Sequence, residues 1–313
     1  MRILITGGAG FIGANLAARA EAAGHDVVII DDLSTGERDN LAPLNARFVE
    51  ASILDAELLA DAMTGVDSVV HLAALGSVPR SIKNPQASHA ANATGTLRVL
   101  EAARAADVGH VSVASSSSVY GLNPALPKSE REWVRPMSPY AVTKLATEQY
   151  ALAYQQSFGM QTLAFRFFNV YGPLQRAGHV YAAVIPVFLD ALLRGEPLPV
   201  NGDGSHSRDF TFVGTVCQVL LDAATRGVTH PEPVNLAFGT NTTLLELISQ
   251  LEEVTGRTAE VLHREPRAGD VKHSQADNAT LRSLFPDVEA ASLTEGLTQA
   301  YEWFTSLPEY QRH

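Results

Sequence analysis

Six short runs rich in aliphatic and β-branched residues recur along the first half of the chain, and helical patterns separate them. The runs are RILIT (2–6), DVVIID (26–31), RFVEA (47–51), SVVHLAA (68–74), HVSVASSS (110–117) and TLAFRFFN (162–169). Between them lie ANLAARAEAAG, DAELLADAM, the long NPQASHAANATGTLRVLEAARAA and SPYAVTKLATEQYALAYQQS. Strands that are apolar on both faces, each followed by a helix, read as βαβ units around a parallel sheet covered on both sides. The predicted class is therefore α/β, a Rossmann-type doubly wound sheet, whose ligands bind beyond the carboxyl ends of the strands.

After residue 172 the rhythm breaks into loops such as GPLQRAGH, VNGDGSHSRD and REPRAGD. The expected division is a Rossmann domain over 1–172, to which 211–237 returns, and a smaller interleaved α/β lobe from 173–210 and 238–313. With 313 residues, 46% of them hydrophobic, the chain has ample material for such a core. A formal net charge of −11 argues against a nucleic-acid backbone as partner, although a local arginine cluster can still hold an anionic ligand. Cys217 is the only cysteine, which excludes an intramolecular disulfide and a cysteine metal cage. No apolar run reaches the length of a membrane span, and a strand pattern starts at once, so a cytoplasmic protein without a metal is expected.

The first strand runs into TGGAGFIG, in which Gly7, Gly10 and Gly13 fit GxxGxxG before a helix. Gly7 permits the tight turn, Gly10 lets the backbone approach a pyrophosphate, and Gly13 lets helix and strand pack closely. The free N–H groups at the helix start, near Phe11 and Ile12, then face the phosphates. Asp31 and Asp32 close the second strand, eighteen residues after Gly13. An acid there accepts hydrogen bonds from the adenosine ribose hydroxyls and repels a 2′-phosphate, favouring NAD over NADP.

The serine-rich stretch ASSSSVYG follows the fifth strand, and SPYAVTK opens the next helix. Tyr140 and Lys144 stand at i and i+4 and share one helix face. A lysine there is expected to lower the pKa of the neighbouring phenol, helped by the positive ring of an oxidised nicotinamide. The phenolate then takes the proton of a substrate hydroxyl as hydride leaves, with a serine at the strand end bonded to the same hydroxyl.

TGGAGFIG, the serine-rich VYG segment, YxxxK and RFFNVYGP together resemble the extended short-chain dehydrogenase/reductase superfamily over nearly the whole chain. LGSVPRSI (75–82), SPYAVTK, NGDGSHSRDF (201–210) and REPRAGDVKHS (264–274) are similar to its UDP-sugar 4-epimerases. The resemblance implies tightly held NAD and a transient 4-keto sugar. It assigns O4 to Tyr140 and Ser116, with Ser117 beside them, and the nicotinamide ribose to Lys144. Asn169, Arg208, Arg267 and Asp270 are implied as UDP contacts, the arginines clamping a diphosphate. Ser52 and Ile53 stand where relatives often carry Asp-Ile for the adenine, so Ser52 takes over as hydrogen-bond partner. The family's pairing through a four-helix bundle implies a homodimer.

Dehydratases of this family place Asp-Glu just before VYG, and glucuronate decarboxylases place a Glu immediately before it. Here both positions are serine, Ser117 and Ser118. Without an acid for elimination, return of hydride is the expected outcome, hence epimerisation. Ser274 replaces a bulky tyrosine and leaves room at C2 of the sugar. The GPLQR loop is similar to the GPRQR loop of UDP-glucuronate 4-epimerases, which puts Arg176 opposite a C6 carboxylate. The favoured substrate is therefore UDP-glucuronate, giving UDP-galacturonate, ahead of UDP-N-acetylglucosamine and UDP-glucose. UDP-glucuronate decarboxylation and a non-catalytic NAD or nucleotide-sugar sensor are the remaining alternatives.

Overall fold

The computed structural model describes residues 1–178, 183–265 and 272–311. Its centre is a seven-stranded, wholly parallel sheet. The strands are β1 (Arg2–Thr6), β2 (Asp26–Asp31), β3 (Arg47–Glu50), β4 (Ser68–His71), β5 (His110–Ser116) and β6 (Thr162–Phe167), with Val234–Leu236 as the seventh. Their order is Val234–Leu236, β6, β5, β4, β1, β2, β3. The chain leaves β1 toward β2 on one side and returns through β4 on the other, pairing Ile3 with both Val27 and Ser68. A crevice opens where the order reverses, and it is here that such sheets bind ligands.

Strand residues alternate between two cores. Ile3, Ile5, Ile29 and Phe165 face the core that holds α1 (Phe11–Ala22) and the helices Val184–Arg194 and Val213–Arg226. Leu4, Val28, Ile30, Val69 and Val111 face the other, which holds side chains of α2 (Ala56–Ala62) and the later helices. Burial on both faces explains why each strand reads as an unbroken aliphatic run rather than an alternating one. β1 and β2 span their apolar runs, whereas β3 to β6 end one to three residues earlier.

The short helix α3 (Val78–Lys83) is followed by a longer one built from α4 (Pro85–His89), a π-helical turn over Ala90–Thr94, and α5 (Gly95–Ala105). That turn, which no periodicity signalled, aims Asn92 inward. Its amide accepts from Leu75 N (2.8 Å) and donates to Thr143 Oγ1 (2.9 Å). Ser138 caps the next helix, α6 (Pro139–Phe158), by accepting from Ala141 N, and Gly159 ends it in the left-handed conformation.

Beyond β6 the chain forms two-stranded pairings. Leu198–Asn201 lies parallel to Val261–Arg264, Ser207–Arg208 antiparallel to Thr242–Thr243, and Thr211–Phe212 parallel to Val170–Tyr171. Val170, Tyr171, Pro199, Asn201 and Arg208 of these pairs line a cavity of their own. Among the described residues no helix is long and apolar enough to cross a membrane.

Candidate active site

A cleft of about 480 Å³ runs along the carboxyl ends of β1, β4 and β5. Gly7 turns the chain at φ +72°, and a Cβ there would stand 2.7 Å from the backbone of Ala73. A Cβ on Gly13 would meet the Gly7 carbonyl at 2.3 Å, so helix and turn touch only because both positions are glycine. Gly10 begins α1 without any side-chain acceptor, and Gly10, Phe11, Ile12 and Gly13 all line the cleft. Helix-start N–H groups beside a cleft, with no side chain bonded to them, suit a phosphate.

The structure separates the two candidate acids. Asp31 is 8% exposed and faces both this cleft and a small adjoining cavity. Its carboxylate accepts from Ala9 N (3.0 Å) and Leu33 N (2.8 Å), bonds that partly offset the upward push of burial on its pKa. Asp32 is exposed, accepts from Ser34 N, and borders only the small cavity, together with Ser52 and Ile53. These residues fit a dinucleotide with its adenosine end toward the small cavity.

The other end of the cleft holds Ser116, Tyr140 and Lys144. Ser116 closes β5, and its hydroxyl accepts from Ser118 N (3.2 Å), capping the short turn Ser117–Tyr120. Ser117 does not border the cleft. Lys144 is 5% exposed and donates from Nζ to the Ala114 carbonyl (2.8 Å), which fixes the amine at the strand end. Burial lowers its pKa to about 8. The expected lowering of the phenol by Lys144 is not what the protein groups produce. Burial moves Tyr140 upward, and the Ser116 hydroxyl beside it pulls only part of the way back.

Two buried networks brace this end, and the motif reading found neither. One turn beyond Lys144, Glu148 (side chain 0% exposed) forms a paired contact with Arg166 at 2.7 and 3.0 Å and accepts from Ser115 Oγ at 2.8 Å. Arg166 also lies 4.7 Å over the Tyr120 ring. Burial, with a smaller contribution from Lys144, holds His71 near pKa 3 and hence neutral. Its ring joins Thr6 Oγ1 (2.7 Å) to Thr96 Oγ1 (3.0 Å) beneath the crevice. A YxxxKxxxE spacing would have signalled Glu148; nothing local signals Arg166 as its partner.

A second cavity, of about 250 Å³, adjoins through Ala183 and is lined by Asn169, Asn201, His206, Arg208, Phe210 and Leu244 among others. Asn169 takes a left-handed conformation and donates to the Asp209 carbonyl (3.2 Å). Arg208 bonds the carbonyls of Ser207 (2.9 Å) and Lys272 (3.3 Å). Asp209, unremarked in the sequence, is fully buried and accepts from Gly239 N, Ala276 N and Thr240 Oγ1, joining three loops. Arg267 and Asp270 lie outside the described residues. Ser274 bonds Ser207 through its backbone and lines neither cavity.

Arg176 is the residue expected opposite a C6 carboxylate. It borders the dinucleotide cleft rather than the second cavity, and its Nε lies 2.7 Å from Glu37 Oε2 and its Nη1 3.8 Å from Glu309 Oε1. Its charge is met by two carboxylates of the protein itself.

The sequence profile of the NAD dependent epimerase/dehydratase family matches residues 3–237. A UDP-glucose 4-epimerase of Mycolicibacterium smegmatis is 38% identical over 312 residues, covering 97% of this chain and 98% of that one. The solved UDP-N-acetylglucosamine 4-epimerase of Methanobrevibacter ruminantium, in complex with UDP-N-acetylmuramic acid, superposes with a TM-score of 0.92 at 34% identity, covering 97% and 98%. A UDP-glucuronic acid 4-epimerase of Bacillus cereus, solved with a fluorinated UDP-glucuronic acid and NAD, gives 0.88 at 29% identity, covering 97% and 99%. The chain belongs to the NAD-dependent epimerase/dehydratase family, and NAD is its cofactor.

Proposed function

We propose that this protein is a UDP-sugar 4-epimerase acting on a hexose that carries no charge at C6. The observation that carries the reaction is the meeting of Ser116, Tyr140 and Lys144 at the end of the glycine-turn cleft. NAD held there supplies a reversible hydride acceptor for C4 and, when oxidised, a positive charge near the phenol. Tyr140 takes the O4 proton and gives it back to the same oxygen, while Ser116 holds that oxygen. Because burial alone raises the phenol's pKa, Tyr140 needs a nearby cation to act as base at neutral pH. Lys144, anchored on Ala114, would hold the nicotinamide ribose, as the family resemblance implies. Ser117 and Ser118 offer no acid to drive elimination, so the 4-keto sugar is reduced again on either face.

Asn169 and Arg208 line the cavity suited to UDP, and Arg267 and Asp270 complete that set by resemblance. A neutral C6 is supported by the two carboxylates that already face Arg176. UDP-glucuronate stays as the second reading, favoured by the run of serine hydroxyls at 115–118 and by the resemblance to glucuronate epimerases. Incubation with UDP-glucose, UDP-N-acetylglucosamine and UDP-glucuronate, with product identification, decides among them. Conversion of UDP-glucuronate alone would overturn the neutral reading, and a pentose product would overturn epimerisation.

Chain pairing is part of this proposal. Met137, Val142 and Tyr150 are exposed on or just before α6, as are Val78 and Ile82 on the adjacent α3. An apolar face of this kind on paired helices suits a four-helix contact between two copies. Sedimentation at equilibrium tests it, with a monomer mass as the contrary result.

A further inference from the structure

Three stretches far apart in sequence converge on Arg176. Glu37 follows β2 and is tied to the glycine turn, its N–H donating to the Ala9 carbonyl at 3.0 Å, which Asn40 Nδ2 also reaches at 2.9 Å. Arg176 sits in the loop after β6, which Asn15 of α1 holds by donating to the Pro173 carbonyl at 3.0 Å. Glu309 belongs to the C-terminal turn, seated by the ring of Tyr310 against Phe304.

Glu37 and Arg176 both line the dinucleotide cleft, and each side chain remains 35% exposed. The pair therefore sits where the cleft meets solvent. Arg176 Nε approaches Glu37 within ion-pair distance but makes no hydrogen bond, so the contact is held by charge rather than by directional geometry.

We propose that Arg176 is a clasp across the dinucleotide cleft, whose pairing with Glu37 and, more weakly, Glu309 retains the bound cofactor. The reason for such a clasp follows from the epimerase reading. The hydride taken from C4 has to return to the same sugar, so a cofactor lost between the two transfers would strand the ketone. The clasp itself requires only that NAD occupies the cleft, and its test does not depend on turnover.

The holoenzyme is loaded with radiolabelled NAD and chased with excess unlabelled NAD, and the release rate is read by filtration. Arg176→Ala and Glu37→Gln each release NAD roughly 3- to 10-fold faster, the range expected for partly exposed ion pairs acting together. The double variant releases no faster than Arg176→Ala, because that single change already removes the contact with Glu37. Glu309→Gln has a smaller effect in the same direction. Raising the salt concentration speeds release from the wild type and leaves Arg176→Ala unchanged, since exposed charges are screened. The charge reversal Arg176→Glu with Glu37→Arg restores slow release, which separates the pairing from a general loss of folding. Unchanged release in either single variant overturns the proposal. So does slower release from Glu37→Gln, which would mean that a freed Arg176 grips the cofactor itself.

Discussion

The two cavities that meet near Ala183 are built by different means. The dinucleotide side is framed by the ends of parallel strands and by residues of α1, α3 and α6, and its key groups are immobilised by burial. Lys144 is bonded to a strand carbonyl, Asp31 to two backbone N–H groups, and Glu148 to Arg166. The second cavity, proposed for the nucleotide sugar, is framed by loops, short strands and helix starts, with Arg208 and Asn169 bonded to backbone carbonyls of nearby loops. The difference assigns the tasks. Chemistry common to a family needs atoms fixed to a fraction of an ångström, which sheet edges provide, whereas recognition of one sugar can vary on loops.

The comparison breaks if the rigid side can be altered without cost. The largest effect is expected from Tyr140→Phe, which should lower kcat by roughly 10²–10⁴-fold with little change in substrate affinity. Near-normal turnover would move the chemistry elsewhere. Next is Glu148→Ala, which leaves the buried Arg166 guanidinium uncompensated and should destabilise the fold by about 3–5 kcal/mol in denaturant titration. A loss under about 1 kcal/mol would show that the ion pair does not brace the strand end.

Lys144 gives the comparison a pH signature. Its pKa of about 8 lies below the ordinary 10.5, so between those values the unfolded chain binds more protons than the folded one. Stability contributed by this group therefore rises with pH across that window, and below it the buried charge costs about 3 kcal/mol. Subtracting the denaturation profile of Lys144→Met from that of the wild type should isolate this slope, and a flat difference would refute it.

On the looser side the expected effects shrink. Asp209→Ala removes the acceptor of three donors and should destabilise by about 1–3 kcal/mol. Its functional mark should be a raised KM for the UDP-sugar with NAD retention unchanged. A parallel loss of NAD would mean that the two cavities are one unit. Smallest is the charge discrimination of Arg176→Ala, where kcat/KM for charged and neutral sugars should change in step to within about threefold, since the guanidinium is already paired. A selective loss for UDP-glucuronate would restore Arg176 to the sugar.

What the sequence by itself determined is what short-range chemistry encodes. Strand periodicity in β1 to β6, the φ requirement of Gly7, the close approach at Gly13, and the shared helix face of Tyr140 and Lys144 all depend on residues within a few positions of each other. Those features identify the sheet and the glycine turn directly, and they place Tyr140 and Lys144, the proposed catalytic pair, on one helix face. Only the tertiary structure decided which of Asp31 and Asp32 faces the cleft, that Ser116 rather than Ser117 borders it, and that burial raises the phenol's pKa with the Ser116 hydroxyl pulling part of the way back. It also decided the partners of Arg176, because Glu37 and Glu309 reach it from opposite ends of the chain. An arginine's spacing in a loop specifies a positive charge, but the field it exerts depends on which carboxylates folding brings beside it, and no local pattern records that.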